Sequence, residues 1–168
     1  RQSVPESHTF LEEKRDGEVE GRTVAGGNKQ RDFISKEEAS SPTVATESVL
    51  LTCITEAEEN RDVAVIEIPN AFIQTRIEDE KDMVFIKIRG VLADMLVDIA
   101  PDVHKSRVSA DKKGNKPLLV QCQNATRGAM AASPLCHRKF CKSLTDVAFK
   151  CDPCDPCVAH KIIKGNQM

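Results

Sequence analysis

The run Val63-Ala64-Val65-Ile66-Glu67-Ile68-Pro69-Asn70-Ala71-Phe72-Ile73-Gln74-Thr75 opens with β-branched residues and alanine, the composition of a strand buried on both faces. One carboxylate, Glu67, falls inside it. An ionised carboxylate in such a strand costs several kcal/mol unless it is paired or bound to a cation. The pattern leaves two readings: Glu67 reaches water at a sheet edge, or it meets a positive partner. Pro69 has no N–H for a ladder, so the strand should stop at Ile68 and the chain should turn through Asn70-Ala71-Phe72.

On the amino-terminal side, residues 45–60 place Val49, Leu50, Cys53, Ile54 and Ala57 at helical spacing. This predicts an amphipathic helix near 45–59, packed on the sheet just before the Val63 strand. Earlier still, Phe10 to Gly27 reads as a β-hairpin with Asp16-Gly17 as its turn. Residues 1–9 are polar and expected to be disordered. On the carboxyl-terminal side, Ile77 to Asp82 carries four acids in six residues, the composition of a solvated loop. Met83–Ile88 follows as a strand, then a helical spacing from Gly90 to Ala100 closed by Pro101. Residues 102–116 read as a polar loop with a turn at Lys112-Lys113-Gly114-Asn115-Lys116. Leu118–Cys122 is the next strand. Ser133 can cap and Pro134 can start a helix near 134–147, with Cys136, Phe140, Leu144 and Val147 along its core side. The fold class is α+β, with antiparallel strands around 63–68, 83–88 and 118–122 backed by helices.

A chain of 168 residues that is 40% hydrophobic can bury one core, yet it has no Trp, no Tyr and only six Phe. No run of about 18 apolar residues marks a membrane span. Arg1-Gln2-Ser3-Val4-Pro5 holds no signal-peptide core and no initiating Met, so the chain reads as an internal fragment. Seven cysteines without an export signal imply free thiols and an intracellular, reducing compartment. The net charge of −2 hides an asymmetry: residues 105–168 hold 12 Lys and Arg against 4 Asp and Glu, leaving 12 against 22 in residues 1–104. The basic half can meet a phosphate backbone or can be an ordinary solvated face.

The order apolar–apolar–carboxylate–x–x–x–Ala–Phe over Val65–Phe72, taken with its flanks, resembles the reverse transcriptase domain of copia-type LTR retrotransposons. Gly21-Arg22 and Val24-Ala25 match that family's finger hairpin, and Ser41-Pro42-Thr43-Val44 its Ser-Pro-x-Val connector. Gly128 matches the glycine of its Ala-Leu-Tyr-Gly segment, and Arg138-Lys139-Phe140 the helix that follows. Asp155-Pro156-Cys157-Val158-Ala159 matches the segment leading into its next strand. The register runs from about Gly17 to Ala159.

The resemblance implies a partial right-hand polymerase, fingers and palm, over residues 10–168. It implies RNA-directed DNA synthesis with Mg2+ (or Mn2+), and as partners an RNA/DNA template-primer, a deoxynucleoside triphosphate and the rest of a retroelement polyprotein. By the same resemblance Glu67 holds the place of a metal-binding catalytic Asp. Phe72 lies under the sugar of the incoming nucleotide, and Arg22 and Gly128 line its site. The chain also departs from the family. Glu18 and Glu20 stand where two lysines help hold the triphosphate, Arg127 where a Tyr precedes the glycine, and Cys136, His137 and Cys154 at further tyrosines. The family's Tyr-x-Asp-Asp hairpin is expected beyond Met168, so residues 1–168 alone are expected to be inactive.

A reading of another class rests on Cys151-x-x-Cys154-x-x-Cys157 with His160 three further on, up to four soft ligands for zinc or an iron–sulfur cluster. Pro153 and Pro156 stiffen the links between these cysteines, whereas a tight metal-binding turn is easier with glycine. Only Cys157 belongs to the family pattern, and Tyr-to-Cys is a single-base change. The expectation is therefore no bound metal. A third reading is an inert interaction fragment.

Overall fold

The structure is a computed structural model and describes residues 4–110, 114–163 and 166–167. It opens with an antiparallel hairpin of β1 (Ser7–Glu13) and β2 (Val19–Ala25), with Leu11 opposite Gly21. The expected Asp16-Gly17 turn closes it. Gly17 N–H donates to the Lys14 carbonyl at 2.9 Å, and its φ of +83° lies in the left-handed region that glycine enters freely. The amino end is tied down earlier than expected. Pro5 is buried, Lys87 N–H donates to its carbonyl at 2.9 Å, and the strand begins at Ser7. Residues 1–3 lie outside the described residues.

A short 3-10 turn (Gly27–Asp32) leads to α1 (Lys36–Ala39), which Ser35 and Glu38 close with a reciprocal capping box. Then come α2 (Thr46–Glu58), β3 (Val84–Ile88), α3 (Val91–Ile99) and α4 (Pro101–His104). After these follow β4 (Leu118–Cys122), α5 (Ala132–Asp146) and the short hairpins β5/β6 (Lys150–Cys151, Ala159–His160) and β7/β8 (Ile162–Ile163, Asn166–Gln167). Among the described residues the strands form four two-stranded antiparallel sheets. The architecture is α+β.

The core forms around β3 and β4. Alternation along β3 buries Val84, Ile86 and Ile88 on one face. Leu118 of β4 is completely enclosed, and Ala93 of α3 and Ala132 and Leu135 of α5 cover the cluster. Five of its ten buried members are alanines, so each contributes little apolar area and the core is thin.

The third strand is not there. Residues 61–68 form neither strand nor turn, and Val65 and Ile66 are 96% and 85% exposed. The reason lies in the edges of the β3–β4 pair. β3 has β4 on one side and meets Glu6 on the other, while the outer edge of β4 meets Val108 at Leu118. The chain docks instead through Thr75–Ile77: Ala125 N–H donates to the Thr75 carbonyl at 2.7 Å, and Ile77 N–H to that of Gln123 at 2.9 Å. Val63–Ile68 is left without a ladder.

The helices form near their expected bounds, but their faces differ. α2 buries no residue, and Val49, Leu50, Cys53 and Ile54 are exposed, because α3 and α5 already cover the β3–β4 face. α5 begins at Ala132 with Ala131 in the capping position and no side-chain cap, so Ser133 does not cap it. Its buried residues, Ala132, Pro134 and Leu135, all fall in the first turn; Phe140 and Val147 are exposed because the helix then leaves the core. Pro101 opens α4 instead of only closing α3, a first helical position where its missing N–H costs nothing. A 3-10 turn (Lys105–Arg107) continues it, so the expected loop is partly helical. Of the turn expected at Lys112–Lys116, Lys112 and Lys113 lie outside the described residues.

Candidate functional site

The residues singled out by the family pattern separate into three places. Arg22 stands exposed on β2, where its guanidinium meets Glu20 at 3.3 Å and Glu12 at 3.6 Å. Lys14 meets Glu18 at 3.0 Å and Glu20 at 3.6 Å. Glu18 and Glu20 thus engage cations of the hairpin itself. The hydrogen bond from Arg22, then its charge, holds the Glu20 carboxyl below the usual carboxylate range, and Glu20 raises Arg22 in return. A triphosphate arriving here would meet carboxylates already holding these cations.

Gly128 lies where the end of this hairpin meets the body. Its φ is +84°, and a Cβ placed on it would stand 2.1 Å from the Ala25 carbonyl oxygen. Ala25 N–H donates to the Arg127 carbonyl at 2.8 Å, and Met130 N–H to Gln30 Oε1 at 3.0 Å. The close approach that glycine permits is therefore made by the chain's own backbone. Arg22 is three residues from Ala25 along β2, about 10 Å.

Glu67 and Phe72 form the second place. Glu67 is exposed, and no ion pair or hydrogen bond joins its side chain to another described residue. Phe72 sits in the turn after Pro69, packed against the core and lining an open groove of about 430 Å³ with Ile68, Pro42, Cys136, His137 and Phe140. Arg22 and Gly128 do not line this groove. The structure puts Phe72 beside the strand-like run, but does not bring Glu67, Arg22 and Gly128 around one ligand.

The third place is the cysteine-rich segment. Cys154 is exposed, and Cys151, Cys157 and His160 are half-buried. Their loop is shaped by carboxylates. Asp152 Oδ1 accepts from Cys154 N–H at 2.7 Å and Asp155 N–H at 3.2 Å, while Asp155 Oδ1 accepts from Cys157 N–H at 2.9 Å. Asp155 is 8% exposed, and its other oxygen accepts from Ala45 N–H at 2.9 Å, fixing the start of α2. That bond, with the Ser48 hydroxyl and Cys157 N–H, holds its carboxyl below the ordinary range. Two members of this neighbourhood come from α5 and were not anticipated. The Cys141 sulfur lies 3.5 Å from His137 Nε2, and Cys151 and Cys157 are near enough to act on the Cys141 thiol. Burial, more than the neighbouring thiols, raises Cys141; burial and then Asp155 raise Cys157. Among the described residues no group of three or more His, Cys, Asp or Glu is placed to hold a metal ion.

Part of the basic carboxyl-terminal half, on α5, lies against acids. Arg138 donates to Asp82 at 2.8 Å, and Lys139 donates to the Gln74 carbonyl. The surrounding cleft of about 330 Å³ interleaves Arg76 and Lys142 with Glu78, Asp79 and Asp146. The acidic segment and the basic helix face one another, a pairing that neither segment announces alone. No helix among the described residues is long and apolar enough to cross a membrane. No family model, no curated protein and no solved structure matches this chain.

Proposed function

We propose that the chain is a degenerate fingers-and-palm segment of an RNA-directed DNA polymerase of the copia-type LTR retrotransposon class, without polymerase activity of its own over residues 1–168. The observation that carries this reading is the order of its motifs, in register from Gly17 to Ala159. The antiparallel β3–β4 pair with α5 against it, and a finger-like hairpin reaching Arg127-Gly128, are compatible with it.

The inactivity follows from the residues. Nucleotidyl transfer in this class uses two divalent ions, Mg2+ or Mn2+, held by carboxylates from two motifs. Glu67 stands alone here, one methylene longer than Asp, and residues 1–168 contain no Tyr and no adjacent pair of aspartates. The donor set does not fit a metal pair, so no catalytic step is assigned through one. Positioning errors of about 1 Å cost about 100-fold in such reactions. Glu18 and Glu20 add negative charge where the class places positive. Phe72 can still offer an apolar face to a sugar, but binding without transition-state stabilisation gives no rate.

The test is primer extension on an RNA template with magnesium or manganese. No extension is expected from residues 1–168. Extension that Glu67→Ala abolishes would refute the assigned inactivity. Extension is expected once Glu67→Asp, Glu18→Lys and Glu20→Lys are combined with an appended Tyr-x-Asp-Asp hairpin. A restored, folded chain that neither extends nor binds template-primer would refute the class.

A further inference from the structure

Residues 61–68 carry no turn or bend, and no backbone hydrogen bond joins Val63–Ile68 to another described residue. Four of those six side chains, Val63, Val65, Ile66 and Ile68, are large, apolar and exposed. A β-branched segment whose backbone N–H and C=O groups have no such partner is a template for another strand. We infer that its occupant is the same segment of a second copy of this chain, in a closed antiparallel pair.

The charges select the geometry. A parallel in-register pair would stack Glu67 on Glu67, and like charges directly opposite are destabilising. An antiparallel pair about a two-fold axis normal to the sheet keeps each residue on one face. It therefore pairs only positions an even number apart. Among those registers, the one centred on Ala64 sets Arg61 opposite Glu67 of the second copy, and Glu67 opposite the second Arg61. It also sets Val63 opposite Val65 and Ala64 opposite itself. Shifting the centre to Val63 sets Glu59 against Glu67, and shifting it to Val65 leaves Glu67 opposite Val63. The Ala64-centred register alone gives two cross-strand ion pairs, and the two-fold axis closes the assembly at two chains. Arg61 already meets Glu59 within its own chain, and its forked guanidinium has donors left for a second carboxylate.

Sedimentation velocity over a wide concentration series of residues 1–168 tests this. A monomer–dimer equilibrium is expected, with amide protection at 63–67 rising as dimer forms. Glu67→Arg sets two like pairs and should weaken the dimer by about tenfold. Arg61→Glu should do the same, and the double exchange Arg61→Glu with Glu67→Arg should restore it. Far-ultraviolet circular dichroism checks that the substitutions, at exposed Glu67 and half-buried Arg61, leave the fold intact. A chain monomeric throughout, a dimer indifferent to the charge exchange, or open-ended assembly past the dimer would each overturn the inference.

Discussion

Gly17 and Gly128 have nearly the same backbone angle, φ of +83° and +84°, but different surroundings. A Cβ on Gly17 would meet nothing within 4 Å; one on Gly128 would stand 2.1 Å from the Ala25 carbonyl oxygen and 3.2 Å from its nitrogen. Alanine at either site bears the left-handed cost, about 1 kcal/mol. At Gly128 the hairpin end must also withdraw by more than an ångström. That breaks the 2.8 Å bond from Ala25 N–H to the Arg127 carbonyl and leaves a buried donor unpaired, a further cost of about 2 kcal/mol. Gly128→Ala should therefore cost about 3 kcal/mol and Gly17→Ala about 1. In a chain of this size that lowers the melting temperature by about 10 °C against about 3 °C. Thermal unfolding followed by circular dichroism gives the comparison, and amide exchange at Ala25 reports the contact directly. Equal losses at the two glycines, or unchanged protection at Ala25 in Gly128→Ala, would refute the reasoning.

Leu118→Ala should cost about 3 kcal/mol in urea unfolding, because Leu118 is fully enclosed and a thin core of alanines cannot collapse into the cavity. Asp155 titrates below its ordinary value because the folded chain donates to it. The stability it contributes is thus present above the unfolded pKa, about 3.9, and is lost as pH falls through the lower folded value. The stability gap between the native chain and Asp155→Asn should hold at neutral pH and close in acid; a gap unchanged in acid would contradict this.

What the sequence made legible was local. Asp16-Gly17 announced its hairpin, the β-branched Val84–Ile88 and Leu118–Cys122 their strands, and apolar spacing the helices near 46–58, 91–99 and 132–146. The β1–β2 and β3–β4 pairings follow the sequence; the failure of Val63–Ile68 to pair was not legible. Val63–Ile68 has the composition of a strand, but a ladder needs a free edge, and Glu6 and Val108 occupy the nearby ones. Helix faces failed for the same reason, since α2 was displaced by α3 and α5. Of the candidate site, the turn at Phe72 was readable. Asp82, which accepts from Arg138, and the Gln74 carbonyl, which accepts from Lys139, come from more than fifty residues away. Asp155 carried a signal in its Asp-Pro dipeptide, which favours a turn closed by the carboxylate. Its bond to Ala45, 110 residues earlier, carried none.

The junction of Ala25 with Arg127 and of Gln30 with Met130 also sets an order of events during synthesis. The β1–β2 hairpin closes a short loop and forms as soon as its residues leave the ribosome, within microseconds. Its docking must wait until about a hundred further residues have been made, several seconds of translation at about 5–20 residues per second. β3 likewise waits for β4, thirty residues behind it. Through that interval Val84, Ile86 and Ile88 have no cover and the Val63 run is already exposed, so two β-branched segments of one nascent chain are unpaired together. A pause in translation between residues 90 and 118 would lengthen that interval, and with it the chance that neighbouring nascent chains pair before either folds.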